Sequence, residues 1–167
     1  MKRSALYAIT LATAVALSAC GFQLRGSSGQ NALPFKTVYV GFPENSPVGA
    51  ELKRYIRASG DTSVVTDPKT AEAVLELLAE SREKSILTLN TQGRPREYTL
   101  LYRLRFRVKS GQEKELMPPT EITLKRDITF NESQALAKEK EEEMLYRDMQ
   151  SDLVQQILRR LSALRTA

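Results

Sequence analysis

The sequence of 167 residues contains no histidine and a single cysteine, Cys20. Without histidine, the chain cannot form a Ser-His-Asp triad, a Cys-His pair or a histidine-ligated metal site. One cysteine cannot form an intramolecular disulfide, so stability must come from the hydrophobic core. The sequence also has no glycine-rich phosphate loop. Carboxylate or Ser/Lys chemistry stays open in principle, but no spacing of residues indicates it, and we expect no enzymatic activity.

The first twenty residues show the three zones of an export signal. Lys2 and Arg3 give a positive start, and residues 5–19 are uncharged and mostly apolar. Fifteen helical residues cover roughly 22 Å, short of the ~30 Å hydrocarbon core, which favours a cleaved signal peptide over a permanent membrane span. The tetrapeptide Leu17-Ser18-Ala19-Cys20 resembles the lipobox of bacterial lipoproteins.

The lipobox resemblance implies a signal peptide over residues 1–19 and covalent diacylglycerol and N-acyl lipid on Cys20. Stable anchoring takes two such signals, because one acyl chain binds a membrane only marginally. Gly21 stands where an Asp would favour retention in the inner membrane, so we expect the outer membrane, with the domain facing the periplasm. The alternative is an ordinary secretory signal with a chance cysteine. No other cofactor and no nucleic-acid partner is expected.

The chain after Cys20 has the length of one domain. Without Lys2 and Arg3 its net charge falls from +5 to +3, which is only mildly basic. Residues 20–34 are predicted to be the lipidated N-terminus and a tether, and residues 35–167 a single α+β domain. Within this domain, alternation predicts a first strand over residues 35–41, and apolar spacing predicts a helix over residues 48–59.

Residues 71–79 allow two interpretations. Their apolar positions follow helical spacing, which by itself favours a helix: Ala71, Val74, Leu75, Leu78 and Ala79. The same stretch also suits a strand that continues through Ile86 and Thr88. The clearest strand follows at residues 98–109, where strict alternation separates an apolar face from a basic face about 40 Å long.

A partner strand is predicted after Pro119, with Arg126 breaking its phase, so we expect a bulge or a sheet edge there. Asn131 and Gln134 have the spacing of a capping box that opens a last helix of more than 30 residues. Its apolar stripe comprises Leu145, Met149, Leu153, Ile157, Leu161 and Leu164. Strands followed by a long helix predict an α+β sandwich with helices on one face of a sheet.

Three stretches, Cys20–Gly26, Gly93–Tyr98 and Gln134–Lys138, resemble the LptE family of lipopolysaccharide-assembly lipoproteins. This resemblance implies a plug inside the β-barrel of LptD that helps the barrel to assemble and binds lipopolysaccharide. It also implies an α+β fold with a four-stranded, mostly antiparallel sheet packed against two helices, the C-terminal one long. Residues 72–90 then form a long strand, against the local helical pattern.

The resemblance also implies basic contacts to lipopolysaccharide. One falls on Lys138, which could equally form an ordinary helical pair with Glu142. The second falls near Thr91, where Arg94 and Arg96 are the nearest basic residues. Alternation alone adds a candidate row that binds ligand or a barrel wall: Arg103, Arg105, Arg107 and Lys109. The alternative for this row is a solvated face neutralised by Glu121, Asp127 and other carboxylates of neighbouring strands.

Two other functions stay open. A free periplasm-facing lipoprotein could carry an amphiphile, which requires an enclosed apolar cavity, or could serve as a scaffold in an envelope complex. A hydrolase using carboxylates would need paired acids with raised pKa values. Residues 141–143 are consecutive glutamates on a helix, so they point in three directions and suit this chemistry poorly.

Overall fold

The computed structural model describes residues 33–164. The predicted signal peptide, the predicted lipidation site Cys20, the stretch Cys20–Gly26 and all but the last two residues of the predicted tether lie outside this range. The elements in chain order are β1 (Thr37–Gly41), α1 (Pro47–Ser59), β2 (Ser63–Val65), β3 (Ala73–Leu89), β4 (Pro95–Lys109), β5 (Glu115–Thr129) and α2 (Ala135–Ser162), with 3-10 turns at Pro68–Thr70 and Glu132–Gln134.

The five strands form one mixed sheet in the order β2-β1-β3-β4-β5. β1 runs parallel to both β2 and β3, whereas β3, β4 and β5 are antiparallel neighbours. The predicted α+β class with two helices is confirmed, but the expectation of four mostly antiparallel strands is wrong. α1 carries the chain back across the sheet, so β2 starts parallel to β1. With only three residues, β2 is too short to show alternation in the sequence.

The first helix begins and ends where its sequence predicts. The Ser46 side chain accepts a hydrogen bond from the Gly49 amide at 3.1 Å, and Pro47 occupies the first turn. Gly60 ends the helix in the left-handed conformation, with φ of +78°, which costs a glycine little. Leu52 and Ile56 are buried against the sheet layer, so the amphipathic spacing is confirmed.

β3 is a strand, as the family resemblance implies and against the local helical pattern. Leu75 and Leu77 pair with Val108 and Phe106 of β4, and the register then shifts between Leu77 and Ala79. Because of this shift, Leu77 and Glu80 lie on the same face of the sheet although they are three positions apart. Glu80 lies opposite Leu104. The helix-like spacing of this segment therefore coincides with a bulge that changes the phase of the strand.

The apolar side of β4 is buried as predicted: Leu100, Tyr102, Leu104, Phe106 and Val108. β5 lies at the edge of the sheet, as expected, but it begins at Glu115, before Pro119. Its pairing with β4 has two register shifts, between Thr120 and Met117 and between Met117 and Glu115. Both prolines sit in the first of them, since edges and bulges tolerate residues without an N–H. Arg126 stays in register opposite Leu100, and its guanidinium lies 2.7 Å from Asp152 of α2.

α2 has 28 residues rather than more than 30 and lies on the same face of the sheet as α1, where it buries Met149, Leu153, Val154, Ile157, Leu158 and Leu161. The predicted capping box is wrong. Asn131 instead caps the preceding 3-10 turn, accepting from the Ser133 amide at 3.1 Å, and Gln134 makes no side-chain capping bond. None of the helices in residues 33–164 is both long enough and apolar enough to cross a membrane.

A polar seam interrupts the apolar contact between the helices and the sheet. The buried Glu51 of α1 accepts hydrogen bonds from Gln150 at 2.7 Å and Ser151 at 2.9 Å. On the sheet side, the fully buried Tyr102 donates to Glu80 at 2.5 Å and accepts from Arg82 at 3.0 Å. Burial, followed by the bond to Glu80, raises the pKa of Tyr102 from 10.0 to about 12.

Candidate ligand-binding cleft

The turn between β3 and β4 presents two arginines at one end of the sheet. The Asn90 side chain accepts the amides of Gln92 and Arg94, both at 2.9 Å, and Gly93 has φ of +75°. This tight turn positions Arg94 and Arg96 beside a cleft of about 240 Å³. The Arg94 guanidinium lies 2.7 Å from the Glu132 carboxylate, and both side chains are exposed. Within residues 33–164, Arg96 has no ion pair.

Lys138 lies in the first turns of α2 and points back to the sheet. Its Nζ is 3.1 Å from Thr129 Oγ1 and 2.8 Å from a Glu141 carboxylate oxygen, with 17% of the side chain exposed. The expected pair with Glu142 is therefore replaced by one with Glu141. Lys138 borders a second cleft, of about 230 Å³, lined by Lys84, Tyr98, Ile128, Thr129, Phe130, Ala135, Lys138, Glu139 and Glu142.

Phe130 joins the two clefts, because its side chain lines both. Its ring packs edge-on against Tyr98, with 5.5 Å between the centroids, and its amide donates to the Arg96 carbonyl at 2.7 Å. The structure thus brings three of the predicted site residues, Lys138, Arg94 and Arg96, to one end of the sheet around an aromatic pair. Cations beside apolar surface suit a ligand that is anionic and amphiphilic.

The predicted basic row lies elsewhere. Arg103, Arg105 and Arg107 point from the face of the sheet that carries no helix. Arg103 lies 2.6 Å from Glu83, and Arg107 lies 2.5 Å from Glu76. The neutralising carboxylates therefore come from β3, rather than from Glu121 and Asp127 of β5. Arg105 faces Glu121 in register and is exposed, without an ion pair to any described residue.

One cation of the second cleft is missing from the sequence prediction. Lys84 of β3 lies 2.5 Å from Glu142 of α2, and its Nζ lies 4.4 Å from the centre of the Tyr98 ring. The sequence indicates Lys84 as a site residue only indirectly. Glu80, Arg82 and Lys84 occupy helix-facing positions of β3, and charged residues on such positions need partners from the opposite layer.

The charged side chains at this end of the sheet are held mainly in ion pairs. No group of three or more acidic residues in the described range could hold a metal ion. Tyr146 of α2 borders the same side and donates to the Glu83 carbonyl at 3.0 Å. Burial raises the pKa of Tyr146, and the nearby charge of Glu142 adds to that rise. The lysines and arginines of the two clefts can bind an anion.

The fold and the cleft define a class: a two-layer α+β domain that solved bacterial lipoproteins share. Lipoprotein B of Nitrosomonas europaea has a TM-score of 0.74 at 43% identity, covering 86% of this chain and 91% of that one. The rare lipoprotein B of Shewanella oneidensis has a TM-score of 0.65 at 26% identity, covering 76% and 94%.

The family model of LptE, described as lipopolysaccharide-assembly, matches residues 35–161. The chain belongs to the LptE family. Two curated relatives carry the name LPS-assembly lipoprotein LptE. The protein of Pectobacterium atrosepticum is 27% identical over 95% of this chain and 86% of its own length. The protein of Yersinia enterocolitica is 26% identical over 99% of this chain and 79% of its own length.

Proposed function

We propose that this chain is a non-catalytic outer-membrane lipoprotein that plugs and helps to assemble an LptD-type β-barrel and binds lipopolysaccharide for delivery to the outer leaflet. Diacylglycerol and an N-acyl chain on Cys20 anchor it, and its domain faces the periplasm. Membership of the lipopolysaccharide-assembly family supports this proposal. Lipopolysaccharide binding is supported by one observation: Arg94, Arg96 and Lys138 lie close to Phe130, in the two clefts that Phe130 borders.

The helix-free face of the sheet supports the barrel partner. Acidic and basic groups alternate across β3 and β4 on this face through the pairs Arg103–Glu83 and Arg107–Glu76. The interior of a large barrel is polar and hydrated. A face on which Arg103 and Arg107 are already paired can lie against such a wall at little cost, and the polar lumen can solvate Arg105. We propose that Arg103, Arg105 and Arg107 contact the barrel wall.

Lipopolysaccharide binding is tested with neutral substitutions. We expect the double variant R94Q/R96Q and the single variant K138Q each to lower affinity for lipopolysaccharide about tenfold or more, because a hydrogen bond to a charged group contributes roughly 1.5–3 kcal/mol. The control is K125Q, which removes a cation from the helix-free side of β5. Affinities that match the control would contradict the site. The melting temperature of R94Q/R96Q should barely change, because the Arg94–Glu132 pair is exposed.

The barrel partner is tested by purification. Affinity capture of the full-length, lipidated protein from outer membranes should recover a large β-barrel protein in about equal amount. Recovery of the lipoprotein alone would instead favour the free carrier or scaffold. A carrier needs an enclosed cavity, and the two clefts around Phe130 are open to solvent and bordered by charged side chains, so we prefer the barrel plug.

A further inference from the structure

The second cleft holds two lysines on either side of an aromatic wall. In the sheet, Tyr98 of β4 lies between Ile86 of β3 and Ile128 of β5, and all three face α2. Lys84 approaches the Tyr98 ring from the β3 side. Lys138 comes from α2 and is held by Thr129 on the β5 side. The two ammonium groups therefore border one cleft of about 230 Å³ whose floor is apolar and aromatic.

Both lysines keep hydrogen-bonding capacity for a ligand. An ammonium group has three N–H donors and no acceptor. Lys84 uses one donor, on Glu142, and Lys138 uses two, on Thr129 and Glu141, counting partners within residues 33–164. A phosphate group offers several acceptor oxygens and can therefore bind two ammonium groups at once. Glu142 and Glu141 each contact only one of the two lysines, so neither carboxylate bridges them.

Carboxylates of α2 form ion pairs with both lysines. Glu142 lies 2.5 Å from Lys84 and has 23% of its side chain exposed, whereas Glu141 lies 2.8 Å from Lys138 and is 49% exposed. Both acids sit on consecutive positions of one helix, so a ligand phosphate that enters the cleft must compete with them. The cost of this competition is small for partly exposed pairs.

Building on the proposed binding of lipopolysaccharide, we propose that Lys84 is a further ligand-binding residue. Lys84 and Lys138 hold one phosphate of an amphiphile between them, and Tyr98 and Phe130 contact its adjoining apolar part. Glu142 is a competing anion that occupies Lys84 until the phosphate replaces it. If Lys84 and Glu142 formed only a structural salt bridge between β3 and α2, removing either charge would change lipid binding in the same direction. In our proposal, their effects are opposite.

The test measures affinity of the full-length protein for lipopolysaccharide, for lipopolysaccharide whose lipid A phosphates have been removed, and for inorganic phosphate. We expect K84Q to weaken binding of the phosphorylated lipid about tenfold and to leave binding of the dephosphorylated lipid unchanged. E142Q should strengthen binding of the phosphorylated lipid, up to about fivefold. Inorganic phosphate at equal concentration should not displace the lipid, because it lacks the apolar part.

K125Q and D127N provide matched controls, because they make the same charge changes on the helix-free face. K84Q and E142Q could instead lose equal amounts of melting temperature while their affinities for lipopolysaccharide match those of the controls. That result would overturn the role of Lys84 and leave the proposed function standing. Displacement by inorganic phosphate would overturn the choice of an amphiphile. A wild-type protein that binds no lipopolysaccharide would contradict the proposed function itself, so the failures of the two proposals are distinguishable.

Discussion

Tyr102 at the centre of the polar seam allows a quantitative prediction about stability and pH. Its ring is fully buried, and its hydroxyl bonds Glu80 at 2.5 Å and Arg82 at 3.0 Å. Tyr102→Phe keeps the ring but removes both bonds to charged groups. Because such bonds contribute roughly 1.5–3 kcal/mol net, we expect the variant to lose about 2–3 kcal/mol of unfolding free energy at pH 8, measured by urea denaturation.

The same substitution should change the pH dependence. The pKa of Tyr102 rises from 10.0 to about 12 on folding, so the native state holds this proton more tightly than the unfolded state. The resulting stability is complete below pH 10 and is lost as the pH rises through 12. By pH 11 the wild type should have lost about 1 kcal/mol of stability that Tyr102→Phe never had. The difference between the two proteins should therefore shrink by about that amount between pH 8 and pH 11.

The control for this experiment is Tyr55→Phe, since Tyr55 is 39% exposed on α1 and no hydrogen bond to its hydroxyl is present in the described residues. Any other group that titrates in this pH range is present in wild type and variants alike, so differences between the proteins isolate Tyr102. A gap between wild type and Tyr102→Phe that stays constant from pH 8 to pH 11 would refute the raised pKa. A gap no larger than that of Tyr55→Phe at pH 8 would refute the role of the hydrogen bonds.

Two further substitutions test the packing. Leu153→Ala removes a fully buried side chain of α2 and should lower the free energy of unfolding by about 2–5 kcal/mol in chemical denaturation. Met144 is exposed, so Met144→Ala should change it by no more than about 0.5 kcal/mol. Equal losses would contradict the assigned face of the helix. Gly111→Ala would place a Cβ 2.4 Å from the Ala71 carbonyl oxygen, so we expect the free energy of unfolding to fall by about 1–3 kcal/mol. A melting temperature equal to that of the wild type would show that this close approach is not present in solution.

The parts of the fold predicted correctly are those where one physical signal dominates. Helix α1 has a capping serine, an amphipathic spacing and a terminal glycine that all agree. The strand β4 alternates without a break because one face is buried and the other is solvated. In both elements the local pattern and the tertiary environment require the same residues, so the sequence alone suffices to locate them.

The errors arise where tertiary contacts override the local pattern. The bulge after Leu77 changes the phase of β3 and imitates a helix. The local pattern left helix and strand open and favoured the helix, and the family resemblance decided for the strand. The capping box failed because Asn131 serves a separate 3-10 turn. β2 escaped detection because three residues carry no periodicity, and its parallel pairing follows from the crossover of α1 rather than from its own side chains.

The candidate site was predictable only in part, for a related reason. Lys138, Arg94 and Arg96 were named from a resemblance, and the sheet brings them to one end. Lys84 lies more than fifty positions before Lys138 in the sequence, and only the antiparallel register of β3 and β4 places it beside Tyr98. Pairings of this kind depend on register, which a single sequence does not display.

The length of β3 has a consequence for how the domain meets a membrane. β1 begins beside the start of β3, so the chain enters the domain at the end opposite the turn that bears Arg94. The 17 residues of β3 extend for about 55 Å, more than the 40–45 Å thickness of a bilayer with its headgroups. The turn that bears Arg94 therefore lies more than a full bilayer thickness away from the point at which the chain enters the domain.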